Sequence, residues 1–323
     1  MAQLFDAYAF RETAKEALVA SSAYIREAIL GEVDLTEYHL KGDKTAVTVV
    51  DTGSQERALP IIQKGLGRYR INSEEASADS GSLRSSIKVY FDPLDGTGGF
   101  LIGGPTPTVI LGAYDSGAKQ VLAAATMEPT TGRFWFSAKR DGAWLNRFDY
   151  ESGQWLSEDG LLLHVNQQGL QKGAVLVDVN HAFAREKGKR SVLYADGRRA
   201  LSSGIEAAGA KESTFYTNGG HFALSATGRP TLVGNITTAI GGPFDVIGLL
   251  HVVEAGGVAR CYNIETNPTT GNRKLDSGQM FNHDTEVVDC HDIEAADMVI
   301  AANNGDNLER LEEILSKAVE FRQ

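Results

Sequence analysis

Apolar positions change their period several times along the chain, and each change marks an element. Over residues 4–30, Leu4, Tyr8, Ala17, Leu18, Ile25 and Ile29 recur at helical spacing on roughly one face, which predicts a long opening helix. A second helical pattern, SQERALPIIQKGLG at 54–67, follows Asp51 and contains Pro60, which predicts a kink. The period then drops to two. SIKVYFD at 86–92 sets Ile87, Val89 and Phe91 on one face of a strand, and TVILGAY, QVLAAATM and GRFWFSAK read as further strands joined by turns with glycine or aspartate. Beyond the polar stretch RFDYESGQWLSEDG near 147–160, AVLVDV, TLVGNI, VARCYNI and MVIAAN read as strands separated by helical segments, and DNLERLEEILSKAVEF as a closing helix. With no repeat and no low-complexity tract, the pattern predicts an α/β chain in two parts, an α+β subdomain over 1–155 and an α/β subdomain over 156–323.

Composition narrows the function. A length of 323 residues is enough for one large unit or two packed halves with a sizeable core. The formal net charge of −11 offers no basic face that would displace phosphate counterions, so a nucleic acid polymer is not an expected partner and a small molecule is. No basic start followed by an apolar run and no stretch of membrane-spanning length occurs, so a soluble chain with no membrane partner is expected. Cys261 and Cys290 fit no metal or disulfide spacing, which points to a reducing cytoplasm.

The densest chemistry lies in FDPLDGTGGF at 91–100. Asp92 ends a strand, Pro93 fixes the turn, and Asp95 opens a bend that Gly96, Gly98 and Gly99 leave sterically open. Two carboxylates this close repel, which favours a raised pKa or a bound divalent cation; hard oxygen ligands without histidine or cysteine suit magnesium, manganese or calcium. The peptide N–H groups of Gly96 and Thr97 suit a phosphate oxygen. A turn whose aspartates merely cap peptide N–H groups is the competing interpretation. Elsewhere, INSEEAS supplies Glu74 and Glu75, TVVD ends in Asp51, and GGPFDVIGLLHVVEAGG places Asp245 in the first turn of a helix that buries Val246, Leu249, Leu250 and Val253. Taken singly, Asp245 reads as a cap, and Glu74 and Glu75 as solvated side chains.

FDPLDGTGGF, with SEE upstream and FDVIGLLHVVEAGG downstream, resembles the inositol monophosphatase family of magnesium-dependent, lithium-sensitive phosphatases. KGDKTAVTVVD at 41–51 and VIAANNGDNLERLEEIL near the end also look like family segments. The resemblance implies a layered αβαβα sandwich of the inositol monophosphatase and fructose-1,6-bisphosphatase type. It further implies that Glu74, Asp92 and the Leu94 carbonyl hold one Mg²⁺, that Asp92, Asp95 and Asp245 hold another, and that two or three ions bind in all. Asp51 and Thr97 match the pair that orients and deprotonates the attacking water beside Glu74, while Gly96 and Thr97 match the phosphate-binding backbone and Lys41 a loop lysine. Thr217 and Asn218 are candidate substrate contacts or ordinary helix caps.

Departures from the family pattern touch substrate more than chemistry. Gly-Glu-Glu becomes Ser73-Glu74-Glu75, the tryptophan before the aspartate becomes Phe244, and Gly98-Gly99 follow the threonine. Inositol phosphatases use a glutamate before the Trp-Asp segment to bind a ring hydroxyl, whereas 226–244 holds no acidic residue here. Neutral groups such as Asn235, Thr237 or Thr238, or an inward Arg229, are then expected to read the substrate. The expected activity is Mg²⁺-dependent hydrolysis of a small-molecule phosphate ester, nominally an inositol monophosphate, by a homodimer. Alternatives are a 3′(2′),5′-bisphosphate nucleotidase, a sugar-bisphosphate phosphatase, or a catalytically silent binding protein of the same fold.

Overall fold

Helix α1 runs over Ala7–Ile29 because Asp6 caps it, its carboxylate accepting the Ala9 N–H at 2.9 Å. The structure is a computed structural model that describes residues 4–35, 38–40, 46–76, 79–104, 106–178, 195–214, 217–238, 242–266, 273–281, 293–294 and 296–320. The buried stripe of α1 is Phe10, Ala14, Ala17, Leu18, Ser21, Ile25 and Ala28, and Leu4, Tyr8 and Ile29 are exposed, contrary to the sequence expectation. Helix α1 packs closely against α2 (Val49–Leu66), where a Cβ added to Gly53 or Gly65 would overlap Tyr24 or Thr13, while the Ser21 hydroxyl donates to the Pro93 carbonyl. Helix α2 starts five residues earlier than its apolar pattern suggests, takes in Asp51, and continues through Pro60.

Strands β1 (Tyr38–Leu40) and β2 (Ala46–Thr48) form a small antiparallel pair. The first large sheet is built from β3 (Arg70–Ser73), β4 (Ser80–Gly81), β5 (Ile87–Asp95), β6 (Thr108–Asp115), β7 (Gln120–Glu128), β8 (Arg133–Ala138), β9 (Gly142–Asp149), β10 (Gln154–Trp155) and β11 (Leu161–Leu162). Its order is β10-β9-β8-β7-β6-β5-β3-β4, with β11 also on β9, and all neighbours are antiparallel except the parallel pair β3 and β5. The second sheet comprises β12 (Ala174–Val177), β13 (Lys211–Ser213), β14 (Leu232–Thr237), β15 (Val258–Thr266), β16 (Arg273–Phe281) and β17 (Met298–Ala302). Its order is β13-β12-β14-β17-β15-β16, parallel over the first three strands and antiparallel beyond.

The short α3 (Thr97–Leu101) follows β5, and four more helices complete the layers: α4 (Ala195–Ala207), α5 (Asn218–Ser225), α6 (Leu249–Glu254) and α7 (Gly305–Glu320). Helices α1 and α2 cover one face of the first sheet, α5 and α6 lie between the sheets, and α4 and α7 close the far side of the second. The order is αβαβα. Three apolar cores fill the interfaces, centred on Phe10, Leu18 and Phe91, on Tyr114, Phe222 and Val252, and on Ile236, Ile300 and Leu311. Among the described residues no helix is long and apolar enough to cross a membrane.

Close approach between layers fixes one glycine. A Cβ added to Gly112 on β6 would overlap the side chain of Ile247, two residues past Asp245. Gly112→Ala is therefore expected to lower stability by about 1–3 kcal/mol through overpacking, read as a lower midpoint in urea unfolding.

Candidate active site

Thr48 precedes α2 and Asp51 is its third residue, so the two form a reciprocal cap. Asp51 Oδ2 accepts the Thr48 N–H at 2.7 Å and the Thr48 hydroxyl at 2.6 Å. Asp51 Oδ1 is left to accept the hydroxyl of Thr97 at 2.7 Å. Burial holds the Asp51 carboxyl above its usual range, and the hydrogen bonds from Thr48 and Thr97 pull it back. The Thr97 hydroxyl also lies 3.0 Å from the Leu94 carbonyl, but its single proton goes to the shorter contact.

Strand β5 loses regular pairing with β6 between Asp92 and Asp95, as a proline inside a strand requires. The turn turns both carboxylates inward, where Asp92 is 4% and Asp95 5% exposed. Gly96 follows at φ 92°, a left-handed conformation that favours glycine, and starts α3 with Thr97. Asp92 Oδ1 accepts the Leu94 N–H at 2.9 Å. Its pKa is raised well above the carboxylate range, first by burial and then by the charges of Glu74, Asp95 and Asp245. Parallel pairing of β3 with β5 brings Glu74 alongside, its N–H donating to the Phe91 carbonyl at 2.9 Å and its side chain exposed.

Asp95 is held by the start of α5. Its Oδ2 accepts the Thr108 hydroxyl at 2.7 Å, the Gly219 N–H at 2.8 Å and the Thr217 hydroxyl, and its Oδ1 accepts the Asn218 N–H at 3.3 Å. Burial still pushes the Asp95 carboxyl up, against these bonds. Asp245 ends a 3₁₀ turn, Pro243–Asp245, rather than opening an α-helix, because Pro243 and the Gly242 N–H on Asp245 Oδ2 at 3.2 Å tighten the chain there. Asn218 donates its side-chain N–H to Asp245 Oδ1 at 3.0 Å, so one residue ties Asp95 and Asp245 together. Thr217 and Asn218, candidate substrate contacts by sequence, are 3% and 2% exposed and engaged with these carboxylates. Lys41 lies outside the described residues.

Three carboxylates, Glu74, Asp95 and Asp245, thus converge electrostatically on Asp92. Among the described residues no three of these four carboxylates close into a finished metal cage. Thr48 and Thr108 were not picked out by sequence; Thr48 was legible, standing three residues before an acid at a helix start.

A statistical model of the inositol monophosphatase family matches residues 7–258. The chain belongs to the inositol monophosphatase family. Among curated proteins it is 30% identical over 137 residues to a fructose-1,6-bisphosphatase/inositol-1-monophosphatase of Aquifex aeolicus (strain VF5), covering 42% of this chain and 50% of that protein. It is also 30% identical over 107 residues to the Nus factor SuhB of Pasteurella multocida (strain Pm70), covering 33% and 39%. The matched stretches therefore span half or less of these relatives' lengths. Among solved structures, the extragenic suppressor protein SuhB of Bartonella henselae superposes with a TM-score of 0.70 at 18% identity, covering 96% of this chain and 99% of that one. The Thermotoga maritima IMPase superposes with a TM-score of 0.68 at 17% identity, covering 96% and 98%. At such identities the likeness speaks for the fold, and the αβαβα layering is that of the inositol monophosphatase family.

Proposed function

We propose that the chain is a divalent-metal-dependent phosphomonoesterase acting on small phosphate esters, with Mg²⁺ as the ion and inositol monophosphate as the nominal substrate. The observation that carries this reading is Asp92, buried and facing the charges of Glu74, Asp95 and Asp245. A hard, all-oxygen donor set in which the leading influences on its central carboxylate are burial and other carboxylates fits a hard divalent cation. Glu74, Asp92 and the Leu94 carbonyl would hold one ion, and Asp92, Asp95 and Asp245 a second.

A bound divalent cation supplies positive charge to the phosphate and makes water nucleophilic at neutral pH. The chain's own groups do the rest. Thr97, with its proton directed to Asp51, presents an oxygen lone pair that can receive a proton from the attacking water as its own hydroxyl proton passes to the Asp51 carboxylate. Half-buried Gly96 and Thr97 offer peptide N–H groups to the phosphate oxygens. Asp95 and Asp245 are kept from drifting by Thr108, Thr217, Gly219, Asn218 and Gly242.

Phosphate release from inositol 1-phosphate is expected to vanish in excess chelator and to return with Mg²⁺, and Mg²⁺ alone is expected to raise the thermal midpoint by several degrees. Undiminished turnover in chelator would refute metal dependence; loss of turnover without any Mg²⁺-induced stabilisation would place the metal effect on the substrate rather than on this site.

A further inference from the structure

Asp245 comes from the far half of the chain, and its approach to Asp92 depends on what the neighbours of its turn rest on. Alternation along β5 sends Ile87, Val89 and Phe91 into the core under α1 and α2, and Tyr90 into the core between the sheets. Lys88, Tyr90 and Asp92 therefore share the inner face, successive members standing about 7 Å apart. The turn Pro243–Asp245 and the residues after it land on that face at a single rung. Phe244 meets the Tyr90 ring edge-on, with centroids 5.3 Å apart and planes at 87°. Ile247 lies over Gly112, the residue of β6 paired with Tyr90.

Asp245 is thus carried between two side chains, each seated on one member of the Tyr90–Gly112 pair, one inner-face step from Asp92. The Gly112 seat is backbone and fixed. The Tyr90 seat is a side chain, which another group has to hold. The ring is buried, and its hydroxyl donates to Glu294 Oε1, which also accepts the Lys88 ammonium at 2.6 Å. Glu294 lies 204 positions beyond Tyr90, next to Ile293, which is buried in the same core as Tyr90.

An ion pair for stability alone does not account for this cluster. The Lys88 and Glu294 side chains are 20% and 23% exposed, a setting in which such a pair contributes little. The Tyr90 bond is different, because a buried hydroxyl costs free energy unless it meets an acceptor, and a charged acceptor makes the stronger bond. One carboxylate oxygen takes both donors, so Lys88 orients Glu294 and Glu294 orients the ring. Phe244 stands where the family pattern has tryptophan, so a smaller ring leans on Tyr90 here.

We propose that Tyr90 and Glu294 are positioning residues for Asp245: their bond keeps the aromatic seat under Phe244 and so holds the Asp245 turn where its carboxylate can share an ion with Asp92 and Asp95. This rests on the metal-dependent reading above and concerns the second of its two ions. The turn itself reports on the support, because the Asp245 and Ile247 N–H groups donate to the Gly242 and Pro243 carbonyls at 3.2 and 3.0 Å and exchange with solvent when it loosens.

The experiment measures hydrogen exchange of a peptide covering 243–250 in chelator, and binding of Mn²⁺, a stand-in for Mg²⁺, from the paramagnetic resonance of the free ion. The proteins are the wild type, Tyr90→Phe, Glu294→Ala, Glu294→Gln, Lys88→Met and, as reference, Asp245→Asn. Tyr90→Phe and Glu294→Ala are expected to speed exchange in that peptide by about threefold or more while β7 and α7 stay unchanged. They are expected to weaken about three- to tenfold the ion site that Asp245→Asn removes, and to leave the other within about twofold. Glu294→Gln, which keeps an acceptor for Tyr90, and Lys88→Met, which keeps Glu294, are expected to stay near the wild type in both measurements. Exchange that quickens equally throughout the chain, or not at all in 243–250, would reduce the pair to a structural clasp and overturn the proposal, as would faster local exchange with unaltered Mn²⁺ affinity. If the wild type binds no Mn²⁺, the metal reading fails by itself and exchange alone decides: faster local exchange in Tyr90→Phe and Glu294→Ala supports the positioning of Asp245, and unchanged exchange overturns it.

Discussion

Asp92→Asn is expected to make the metal-free protein more stable while removing its response to Mg²⁺ and most of its turnover. Burial and three neighbouring carboxylates raise the folded-state pKa of Asp92 well above its unfolded value. A carboxyl raised in this way contributes stability that is fully present below the unfolded pKa and is lost as pH rises through the folded one. At neutral pH without metal the group therefore opposes folding, and an amide of the same shape relieves it. In chelator at pH 7.5 the variant should melt above the wild type, and the gap should close as pH falls. Added Mg²⁺ should then stabilise the wild type and leave the variant unmoved. Turnover should drop by about 10²–10³ or more, the usual cost of removing a central electrostatic group. A variant that melts below the wild type in chelator would mean that Asp92 is satisfied by some partner other than a cation.

Acid should destabilise the protein through a residue remote from this chemistry. His251 on α6 is fully buried between the Ser137 hydroxyl at 2.8 Å and the Thr126 hydroxyl at 3.1 Å, and burial lowers its pKa from 6.5 to about 3. A base depressed in the folded state contributes stability that is present above the unfolded pKa and is lost as pH falls toward the folded one. The window is therefore pH 6.5 down to about 3. One pKa unit corresponds to about 1.4 kcal/mol, so about 3 kcal/mol should be gone by pH 4. His251→Gln keeps a polar group for Ser137 or Thr126 and removes the titration. Its urea midpoint should start lower at pH 8 and fall less steeply between pH 6.5 and 4, and parallel pH profiles for the two proteins would exclude the mechanism. Comparison within this pair cancels Asp92, whose effect has the opposite sign.

The sequence made some of this architecture legible and hid the rest for identifiable reasons. Continuous apolar runs such as those of β6, β7, β12 and β17 announce buried strands, and the structure has them there. Strand β16, RKLDSGQMF, gave no such signal because it is a polar strand that, among the described residues, stands at the sheet edge and pairs only with β15. The start of α2 was hidden by the β-branched run of AVTVV, where the Thr48–Asp51 cap overrides strand propensity. The carboxylates of the site could be read from local motifs. Their supports could not, because Asn218 reaches Asp245 across 27 positions and Thr217 reaches Asp95 across 122. Only the fold sets such distances.

Asp51 carries one further implication. A single carboxylate closes the first turn of α2 with one oxygen and aims the Thr97 hydroxyl with the other. Folding of that helix and readiness for chemistry are therefore one event: the hydroxyl cannot be aimed before the helix has begun, and the helix cannot fray at this end without letting the hydroxyl swing free. On the phosphatase reading proposed above, Thr48 would belong by this coupling to the catalytic apparatus, and the looseness of a helix end would set how often the site is ready.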